Sequence, residues 1–560
     1  MPRFFVTQKG IIAGFFCLFF LFIAYLPTFN APFVWDDEVM VVGNPLIRSP
    51  VHIPQIFEAS AFGHAASAQD FFRPIQTLSY ILDYQLFGLD ASGFHTMSWL
   101  YFALSCALLF YFLRLLPYPT VGDVSTLTPS GFSRYTCLAI TLLFAMHPLN
   151  IEVVTYISGR GDVLFLVFAL LALCGVVHAS KGRTWAILLV WISTLLAILS
   201  KENAIALPFV MSLLWIVLPK GPQNWRYWTA ALPTLVGNLV YIGYRIMALG
   251  DPHSMPLSPI SFASFYERVL TLPYILWTYF RLTFLPYPLH MDYLHVVTDI
   301  LNPYLWIGLP LLMLVLAILW RWVRSPMYLF LLAWIGFGLG PVLQVIPLTA
   351  TVREHWFSFS LIATLTLIVA GLSHRFRNTP KWLVHACFGV AVVTLMSLTY
   401  IRNLDWTDPM RLYSHDVEIE PRSFLLHNNL GVLHYRNQNF SEAKKSFQKS
   451  VLVTPGNNGY GTALNNLGVI AEHENNRSLA LDYYRRSIMG SHYELAYANA
   501  MRLLLMDNQW KTALPLAEDA LQKYPYHQSL LRYAAIIYSQ MGHHDKSDAI
   551  LKRLKQLYPE

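Results

Sequence analysis

Charged residues are scarce in this sequence, and they are unevenly distributed. Only 13% of the 560 residues are Asp, Glu, Lys or Arg, whereas soluble domains usually carry about 25%. Residues 401–560 contain 34 of these 71 residues, and residues 1–400 contain 37. The chain is therefore not one soluble domain, because a long apolar part precedes a part of ordinary soluble composition.

Cysteine is also rare, which excludes a disulfide framework and a cysteine-ligated metal site. The five cysteines lie in apolar runs without metal-binding spacing, and we interpret them as small buried hydrophobes: Cys17, Cys106, Cys137, Cys174 and Cys387. The net charge of +7 is modest. In a membrane protein it reflects cytoplasmic Lys and Arg, so we expect no nucleic-acid partner.

Long apolar runs dominate residues 1–400 and predict a polytopic membrane domain in the lipid bilayer. The mean hydropathy is +0.43, and a helical span needs about 20 apolar residues. Eleven runs qualify: 10–30, 94–116, 135–147, 161–179, 184–200, 204–219, 227–249, 303–320, 327–348, 357–373 and 382–400. The first run has no convincing cleavage site and is interpreted as a retained signal anchor.

The distribution of Lys and Arg orients these spans. Basic clusters lie near residues 3–9, 114–134, 181–183, 220–226, 321–324 and 375–381. If all are cytoplasmic, the spans alternate correctly only when a twelfth run, 265–285, does not cross the membrane. We interpret that aromatic-rich run as an interfacial or re-entrant helix. The N-terminus is then cytoplasmic, and residues 402 onward lie on the outer face.

Ionisable residues collect at the outer ends of the predicted spans. Besides three acids that follow the first span, they are Arg73, His147, Glu152, Arg160, Asp162, Lys201, Glu202, Arg245, Arg353, Glu354 and His355. Part of this clustering is automatic, because charges must lie at span ends. Positive charges, however, are expected mainly on the cytoplasmic side. Basic residues on the outer face favour an anionic partner, and a lipid phosphate is the natural one.

The three acids are Asp36, Asp37 and Glu38, in the segment Phe33-Val34-Trp35-Asp36-Asp37-Glu38. Carboxylates at a membrane surface are costly unless water or a cation meets them. One interpretation is the start of a solvated loop. The other is a carboxylate that takes a proton from a nucleophile or holds a cation. The pattern requires no cofactor, although Asp37 with Glu38 could hold a divalent cation.

Together these charges indicate group transfer from a lipid-linked phosphate. A carboxylate would activate a hydroxyl group, and a basic set would stabilise the departing phosphate. The candidates for that set are Arg73, Arg160, Lys201, Arg245 and Arg353. Sugar transfer from a polyprenyl phosphate is the commonest chemistry of this kind.

Residues 424–560 repeat with a period near 34 residues, which is typical of tetratricopeptide repeats (TPRs). Asn429-Leu430-Gly431 recurs as Asn466-Leu467-Gly468, and small residues with a closing Pro mark two further copies. Stacked repeats present a concave surface for an extended peptide or a partner protein. The predicted domains are a membrane domain at 1–401, a connector at 402–423 and a TPR domain at 424–560.

An ordered set of short motifs extends over nearly the whole chain. Besides Phe33 to Glu38, it contains Phe72-Arg73-Pro74-Ile75, Gly93-Phe94-His95, His147-Pro148 with Glu152, Gly159-Arg160-Gly161-Asp162, Ser200-Lys201-Glu202 and Arg402-Asn403-Leu404-Asp405-Trp406. The set resembles the GT-C membrane glycosyltransferases, and most closely their transmembrane-and-TPR O-mannosyltransferase branch. Two segments depart from the family pattern: Phe94-His95-Thr96-Met97-Ser98 and Arg353-Glu354-His355-Trp356.

The resemblance implies a mostly α-helical fold, in which a polytopic membrane bundle of about eleven spans precedes a TPR solenoid. It also implies a polyprenyl-phosphate-linked sugar, mannose or a similar hexose, as donor. The base would be Asp36 or Asp37. Contacts to the sugar or acceptor would come from Glu38, His95, His147, Glu152, Asp162, Glu202, Glu354 and His355.

The expected acceptor follows from the TPRs and the same resemblance, and the expected compartment follows from the compact chain and the absence of cysteine in residues 401–560. A protein Ser or Thr on the periplasmic or lumenal face is favoured, with the TPRs docking that protein or an assembly partner. A cell-envelope glycolipid or polysaccharide is the alternative. We expect a bacterial inner membrane with a periplasmic TPR domain, whereas an endoplasmic reticulum protein would place the same face in the lumen.

Two other function classes remain in view. A non-catalytic scaffold would use the TPRs to organise a polysaccharide or secretion complex. A transporter would need acids in mid-span and internal symmetry, and the sequence has neither pattern.

Overall fold

The computed structural model describes residues 8–57, 72–117, 132–218, 225–249, 258–322, 325–376, 378–454 and 461–557. Within these ranges the chain is helical, and one isolated antiparallel bridge between Tyr293 and Val352 is its only β pairing. The described part of the chain divides into two compact units, one ending at Pro409 and one comprising residues 410 onward. The prediction of a mostly α protein is confirmed.

The first unit is a bundle of helices, joined by short turns and by longer irregular segments such as residues 285–302. In the described ranges the helices are α1 (Gln8–Ala24), α2 (Ile53–Ile56), α3 (Pro74–Phe87), α4 (Ala91–Leu115), α5 (Arg134–Ala145), α6 (Ile151–Val154), α7 (Arg160–Ser180), α8 (Trp185–Ile198), α9 (Leu207–Leu213), α10 (Trp225–Leu249), α11 (Pro259–Phe262), α12 (Phe265–Phe284), α13 (Pro303–Trp322), α14 (Pro326–Leu339), α15 (Ser358–Arg375) and α16 (Lys381–Trp406).

Several helices of this unit have the length and composition of membrane spans. Among the described residues four qualify, namely α4, Ile157–Ser180 around α7, Glu354–Ser373 around α15, and α16. The bent pair of α5 and Pro148–Val154 makes a fifth if it acts as one span. Shorter apolar helices coincide with further predicted runs: Gly14–Ala24, Trp185–Ile198, Glu202–Ile216 and Pro326–Val342. These are the helices of a membrane protein, while the count of eleven spans stays a prediction.

The run predicted to lie in the interface forms α12. Ser264 caps its first turn, because the Ser264 hydroxyl accepts from the backbone N–H of Glu267 and the Glu267 carboxylate accepts the N–H of Ser264. Farther along, Thr271 accepts from the N–H of Val297, and Tyr279 donates to the carbonyl of Arg353. This helix therefore anchors two segments that reach the charged site. Its depth in a bilayer stays a prediction.

The second unit is a stack of helix pairs. Its helices are α17 (Pro409–Ile419), α18 (Phe424–Arg436), α19 (Phe440–Val453), α20 (Gly461–His473), α21 (Arg477–Ser491), α22 (Glu494–Met506), α23 (Trp510–Lys523), α24 (Gln528–Gln540) and α25 (His544–Leu557). Gly431 and Gly468 lie directly against the rings of Phe447 and Tyr484, where a Cβ atom would collide. The recurring glycine thus lets the two helices of a pair pack closely, and the predicted TPR solenoid is confirmed.

Candidate active site

The acidic segment after α1 has an unusual backbone. Trp35 adopts a left-handed conformation, with φ at 54°, which costs a residue other than glycine about 1–3 kcal/mol. A π-helical turn, Glu38–Val42, follows directly. The indole of Trp35 lies beside the Arg353 guanidinium, 5.7 Å from its carbon to the ring centroid. The strained turn therefore separates Asp36 from Asp37 and sends the two carboxylates into different surroundings.

Asp37 is fully buried, and its carboxylate accepts hydrogen bonds from Val34 and Ser158. Its carboxylate accepts the N–H of Val34 at 3.1 Å, the N–H of Ser158 at 2.7 Å and the Ser158 hydroxyl at 2.5 Å. Burial raises the pKa of Asp37 to about 7, although these hydrogen bonds oppose the shift. The geometry is that of a carboxylate that ties the first loop to the turn before α7.

Asp36 has the surroundings expected of a base. It is solvent-exposed, and the Tyr156 hydroxyl donates to its Oδ2 at 2.7 Å. Desolvation by the surrounding protein raises the pKa of Asp36. The Tyr156 hydrogen bond and the charges of Arg353 and Arg73 oppose this shift in part. A reachable carboxylate with a raised pKa is a better proton acceptor than an ordinary one. Of the two predicted bases, Asp36 has the more suitable position.

Two ion pairs join Arg73 and Lys201 to acids that the sequence also singles out. Nε of Arg73 lies 3.1 Å from each carboxylate oxygen of Glu202, and its Nη2 lies 2.9 Å from Oε2. Nζ of Lys201 lies 3.0 Å from Oδ2 of Asp162. Burial and the charge of Arg73 lower the pKa of Lys201, and the neighbouring acids oppose that shift. Both cations are held in fixed positions by carboxylates.

His355 links the ion pair of Lys201 and Asp162 to a third acid, Glu152. Its Nδ1 lies 2.5 Å from Oε2 of Glu152, and its Nε2 lies 3.9 Å from Oδ2 of Asp162. The histidine therefore lies between two carboxylates that belong to α6 and to the first turn of α7. The imidazole therefore links these two carboxylates in space.

The segment Arg353-Glu354 is held by residues that sequence analysis missed. Nη2 of Arg353 lies 3.2 Å from the fully buried carboxylate of Asp292. Glu354 accepts the Tyr293 hydroxyl at 2.7 Å and the N–H of His290 at 2.9 Å. Asp292 lies in an irregular stretch between α12 and α13, where the sequence has no periodic pattern from which it could have been recognised.

Together these residues form what we call the charge network: Asp36, Arg73, Glu152, Asp162, Lys201, Glu202, Arg353 and His355. They come from five stretches of the chain that are far apart in sequence. The segment of Arg73 is itself attached to that of Lys201, because Ile75 donates its N–H to the carbonyl of Leu199. The expected convergence of acids and bases is thus present in the first unit.

Arg160 lies apart from the network, although it was predicted to bind phosphate. It is fully buried and forms an ion pair with the fully buried Asp83. Its other nitrogens donate to the carbonyl of Phe94 and to the hydroxyl of Ser98. The guanidinium of Arg160 is therefore paired with the Asp83 carboxylate and is not accessible to a lipid phosphate.

The glycines on either side of Arg160 explain the motif around it. A Cβ on Gly159 would lie 2.5 Å from the carbonyl oxygen of Glu152. A Cβ on Gly161 would lie 2.7 Å from both the Gln76 side-chain oxygen and the carbonyl of Ser200. The motif therefore brings α3, α6 and the Lys201 segment into close contact at the start of α7.

The remaining predicted residues occupy separate positions. His95 Nε2 lies 3.0 Å from the carbonyl of Ala31, and His147 Nε2 lies 3.1 Å from that of Thr283. Both are buried and serve to connect segments. Glu38 is half-buried in the first turn after Asp37. Arg245 belongs to α10, and its side chain lies outside what the structure describes.

No group of three or more His, Cys, Asp or Glu residues is arranged to hold a metal ion in the described part of the chain. At the position suggested for a cation, both oxygens of Asp37 already accept hydrogen bonds from Val34 and Ser158. The divalent cation at Asp37 and Glu38 stays a prediction.

Comparison with known proteins identifies sequence relatives of this chain. No family model matches the chain. Protein O-mannosyl-transferase F38B6.6 of Caenorhabditis elegans is 24% identical over 455 residues, which cover 77% of this chain and 61% of the relative. Protein O-mannosyl-transferase TMTC3 of Homo sapiens is 21% identical over 562 residues, which cover 88% of this chain and 59% of the relative. The chain is a relative of the TMTC proteins.

This relationship to the TMTC proteins matches the resemblance inferred from the motifs. The chain spans about three fifths of the length of these TMTC relatives. Among solved structures, YrrB, described as a TPR protein with an unusual peptide-binding site, is 18% identical and covers 30% of this chain and 84% of its own, with a TM-score of 0.23. A score this low supports no argument about function.

Proposed function

We propose that this protein is a membrane glycosyltransferase that moves mannose or a similar hexose from a polyprenyl-phosphate donor to a Ser or Thr of an acceptor protein. The single observation that carries the proposal is the charge network, in which one exposed carboxylate, Asp36, faces several fixed cations. The names of the TMTC relatives support the mannosyl and protein parts of the proposal.

In the proposed reaction the acceptor hydroxyl oxygen attacks C1 of the donor sugar. The bond between C1 and the phosphate oxygen breaks, and its electron pair leaves with the polyprenyl phosphate. Asp36 takes the proton of the hydroxyl group, so the acceptor gains the sugar as the lipid phosphate gains the negative charge. Proton transfer to a positioned base contributes about 10²- to 10⁴-fold to such rates.

The basic residues supply the complementary charge. Arg353 and Arg73 both act on the electrostatics of Asp36, so a phosphate bound near them would lie close to the base. Glu202 and Asp162 fix Arg73 and Lys201 before the donor arrives, which reduces the reorganisation needed as charge develops. Arg160, paired with Asp83 in the interior, is assigned no part in phosphate binding.

The proposed location is a bacterial inner membrane, with the N-terminus in the cytoplasm and the TPR domain in the periplasm. The basic clusters of the sequence support this orientation through the positive-inside rule. The same rule supports placing the charge network at the outer leaflet, where a lipid-linked sugar and a translocated protein can meet.

The test compares Asp36→Asn with Asp90→Asn in membranes supplied with radiolabelled polyprenyl-phosphate mannose. Asp90 is the exposed N-cap of α4, and asparagine caps as well as aspartate. We expect the Asp36 variant to lose about 10²- to 10⁴-fold of the transfer into protein, and the Asp90 variant to keep it.

Three other results would each contradict a part of the proposal. Full activity of Asp36→Asn would remove the base. Label that enters glycolipid or polysaccharide instead of protein would replace the acceptor with an envelope glycan. No transfer by the wild-type protein from any polyprenyl-phosphate hexose would leave the membrane scaffold as the better description.

A further inference from the structure

Three cations meet near the turn between α7 and α8, at the end of α7 that is opposite the charge network. Asp162 of the network lies in the first turn of α7, and Lys181 follows its last residue, 19 positions farther along the chain. At a rise of 1.5 Å per residue this separation is about 28 Å, close to the roughly 30 Å of a bilayer's hydrocarbon core. The network and this turn therefore lie near opposite surfaces of the membrane.

The turn brings the three cations together. Gly182 has a left-handed backbone, with φ at 92°, and Lys181 and Arg183 flank it. Arg226, in the first turn of α10, reaches the same point, because its Nη1 lies 4.0 Å from where a Cβ of Gly182 would be. Partial desolvation and the charge of Arg183 lower the pKa of Lys181. We call Lys181, Arg183 and Arg226 the cation cluster.

Uncharged groups hold the two arginines of the cluster. Nη1 of Arg183 lies 3.3 Å from Nδ1 of His178, and Nε2 of His178 lies 2.7 Å from the Tyr111 hydroxyl. Because arginine only donates, this Nδ1 accepts and the imidazole is neutral. The Arg226 guanidinium lies beside the ring of Trp225, with 5.0 Å between its carbon and the ring centroid. These contacts position the guanidinium groups without neutralising their charge.

The protein places no carboxylate against this charge in its described part. Glu202 is the only Asp or Glu between residues 163 and 250, and it pairs with Arg73 in the charge network. Among the described residues none of the three cations of the cluster has an ion pair, and the buried Nε of Arg226 has no hydrogen-bond partner. The cluster therefore has its positive charge available for an anion that comes from outside the chain.

The surroundings of the cluster are those of a membrane surface. Trp185 and Trp225 are 57% and 60% exposed, and tryptophan is enriched at the depth of lipid headgroups. The anion at that depth is a lipid phosphate, which arginine binds with two parallel hydrogen bonds and lysine as a point charge. Basic pockets between the ends of membrane helices are suited to anionic headgroups.

A cleft between α8 and α10 lies on the membrane side of the cluster. Nε1 of Trp191 donates to the carbonyl of Thr229 at 3.1 Å. Beyond this contact is a cavity of about 230 Å³, whose lining includes Leu195, Pro233 and Gly237. The last of these lies 11 residues past the cluster along α10, which is about 17 Å and comparable with half of the hydrocarbon core. A chain of one leaflet depth would reach the cleft from the cluster.

We infer that the cation cluster and this cleft bind one anionic phospholipid, with its phosphate at the cluster and an acyl chain between α8 and α10. The site lies in the leaflet opposite the charge network, so its occupant differs from the donor lipid of the proposed function. Binding requires neither Asp36 nor sugar transfer, and Asp36→Asn should bind the lipid as the wild type does.

The experiment titrates the full-length protein in an uncharged detergent with dioleoyl phosphatidylglycerol and measures the bound lipid by native mass spectrometry. Arg183→Gln/Arg226→Gln is compared with Arg375→Gln/Lys381→Gln, which removes two exposed cations from the end of α15 and the start of α16. We expect the cluster variant to bind this lipid at least roughly tenfold more weakly. The control variant should bind it normally.

The position of the acyl chain is tested by filling the cleft. A Cβ on Gly237 would meet no other atom within 4 Å, so Gly237→Leu extends a side chain into open space. Binding of dioleoyl phosphatidylglycerol should fall severalfold, whereas Val236→Leu at the exposed neighbouring position should leave it unchanged. Far-UV circular dichroism must show unchanged helix content in each variant. Lys181→Gln replaces the cluster variant if that variant fails this check.

The outcomes distinguish a lipid site from other uses of the same charge. Preferential binding of phosphatidylglycerol over phosphatidylcholine, lost in the cluster variant alone, supports the site. Equal weakening in both double variants would overturn it, because total charge would then explain the binding. Equal binding of the two lipids, or displacement of phosphatidylglycerol by millimolar inorganic phosphate, would overturn an anionic lipid as the occupant.

Two further results would overturn parts of the assignment. Stronger binding of polyprenyl phosphate than of phosphatidylglycerol, also lost in the cluster variant, would replace the phospholipid with the donor lipid. Unchanged binding by Gly237→Leu would overturn the placement of the acyl chain in the cleft.

Discussion

The two units use their charges in opposite ways. In the first unit Arg73 pairs with Glu202 across 129 residues of sequence, and Arg160 pairs with Asp83 across 77, with little or no exposure. In the TPR unit Lys445 pairs with Glu442 three residues away, and Arg477 with Asp507 thirty away, both on the surface. These pairs of the first unit are largely buried and join segments that are far apart in sequence, whereas these pairs of the TPR unit lie at its surface.

Buried and exposed ion pairs also differ in how much they contribute to the free energy of unfolding. Removing one partner of a buried ion pair leaves an uncompensated charge and costs about 3–5 kcal/mol. Exposed pairs contribute about 0–1 kcal/mol, because water screens them. The free energy of unfolding of variants that lack each kind of pair therefore measures this difference.

The largest effect on stability is expected at the buried pair of Arg160 and Asp83. Arg160→Met leaves the Asp83 carboxylate buried without its partner, so we expect a loss of about 3–5 kcal/mol in the free energy of unfolding. Thermal or denaturant unfolding in detergent measures it. The double variant Arg160→Met/Asp83→Leu removes both charges and should recover most of the loss. A double variant as unstable as the single one would show that packing, not charge, makes this site important.

An intermediate effect is expected at Asp37, as a dependence on pH. Burial raises the pKa of Asp37 from its usual value near 3.8 to about 7 in the folded protein. Between pH 4 and 7 the folded state therefore binds more protons at this residue than the unfolded state, and its contribution to stability falls as pH rises. The contribution stops changing only well above pH 7, once the carboxyl is ionised in the folded protein as well.

The Asp37→Asn variant should lose this dependence. The difference in unfolding temperature between wild type and Asp37→Asn should move in favour of the variant as pH increases from 4 to 7. Asp90→Asn, which makes the same substitution at an exposed position, serves as the control. A pH-independent difference at Asp37 would mean that the carboxylate is ionised throughout this range, with a pKa held down by its hydrogen bonds.

The smallest effect is expected at the surface of the TPR unit. Arg477→Ala removes the partially exposed pair with Asp507, and we expect a loss below about 1 kcal/mol, reduced further by added salt. Unfolding of the full chain at low and high ionic strength measures this. A loss as large as that at Arg160, and insensitive to salt, would contradict the division between the two units.

Much of the candidate site could be predicted because charged residues in apolar surroundings are conspicuous. Arg73, Lys201, Glu202 and His355 were recognised as span-end charges, and they do come together. Their partners were harder to find. Asp83 lies within an amphipathic helix, Asp292 in irregular chain, and Tyr156 in a short turn, where no pattern distinguishes a buried functional group from an ordinary surface residue.

The role of each charge was less predictable than its position. Arg160 and Arg73 look alike in the sequence, since each stands within a short motif among the ionisable residues outside the apolar runs. Arg160 turns inward because Asp83 and the carbonyl of Phe94 receive it, whereas Arg73 remains at the network with Glu202. A long flexible side chain can reach in several directions, and only its neighbours in the fold select one.

The division into an apolar bundle and a TPR stack can be read from the sequence, because hydropathy and repeat period are local properties of the chain. The collection of acids and bases at span ends is visible there as well. The exposure of Asp36 and the burial of Asp37 depend instead on the fold. A left-handed turn at Trp35 and a hydroxyl from Ser158, 121 residues away, place two adjacent carboxylates in opposite environments.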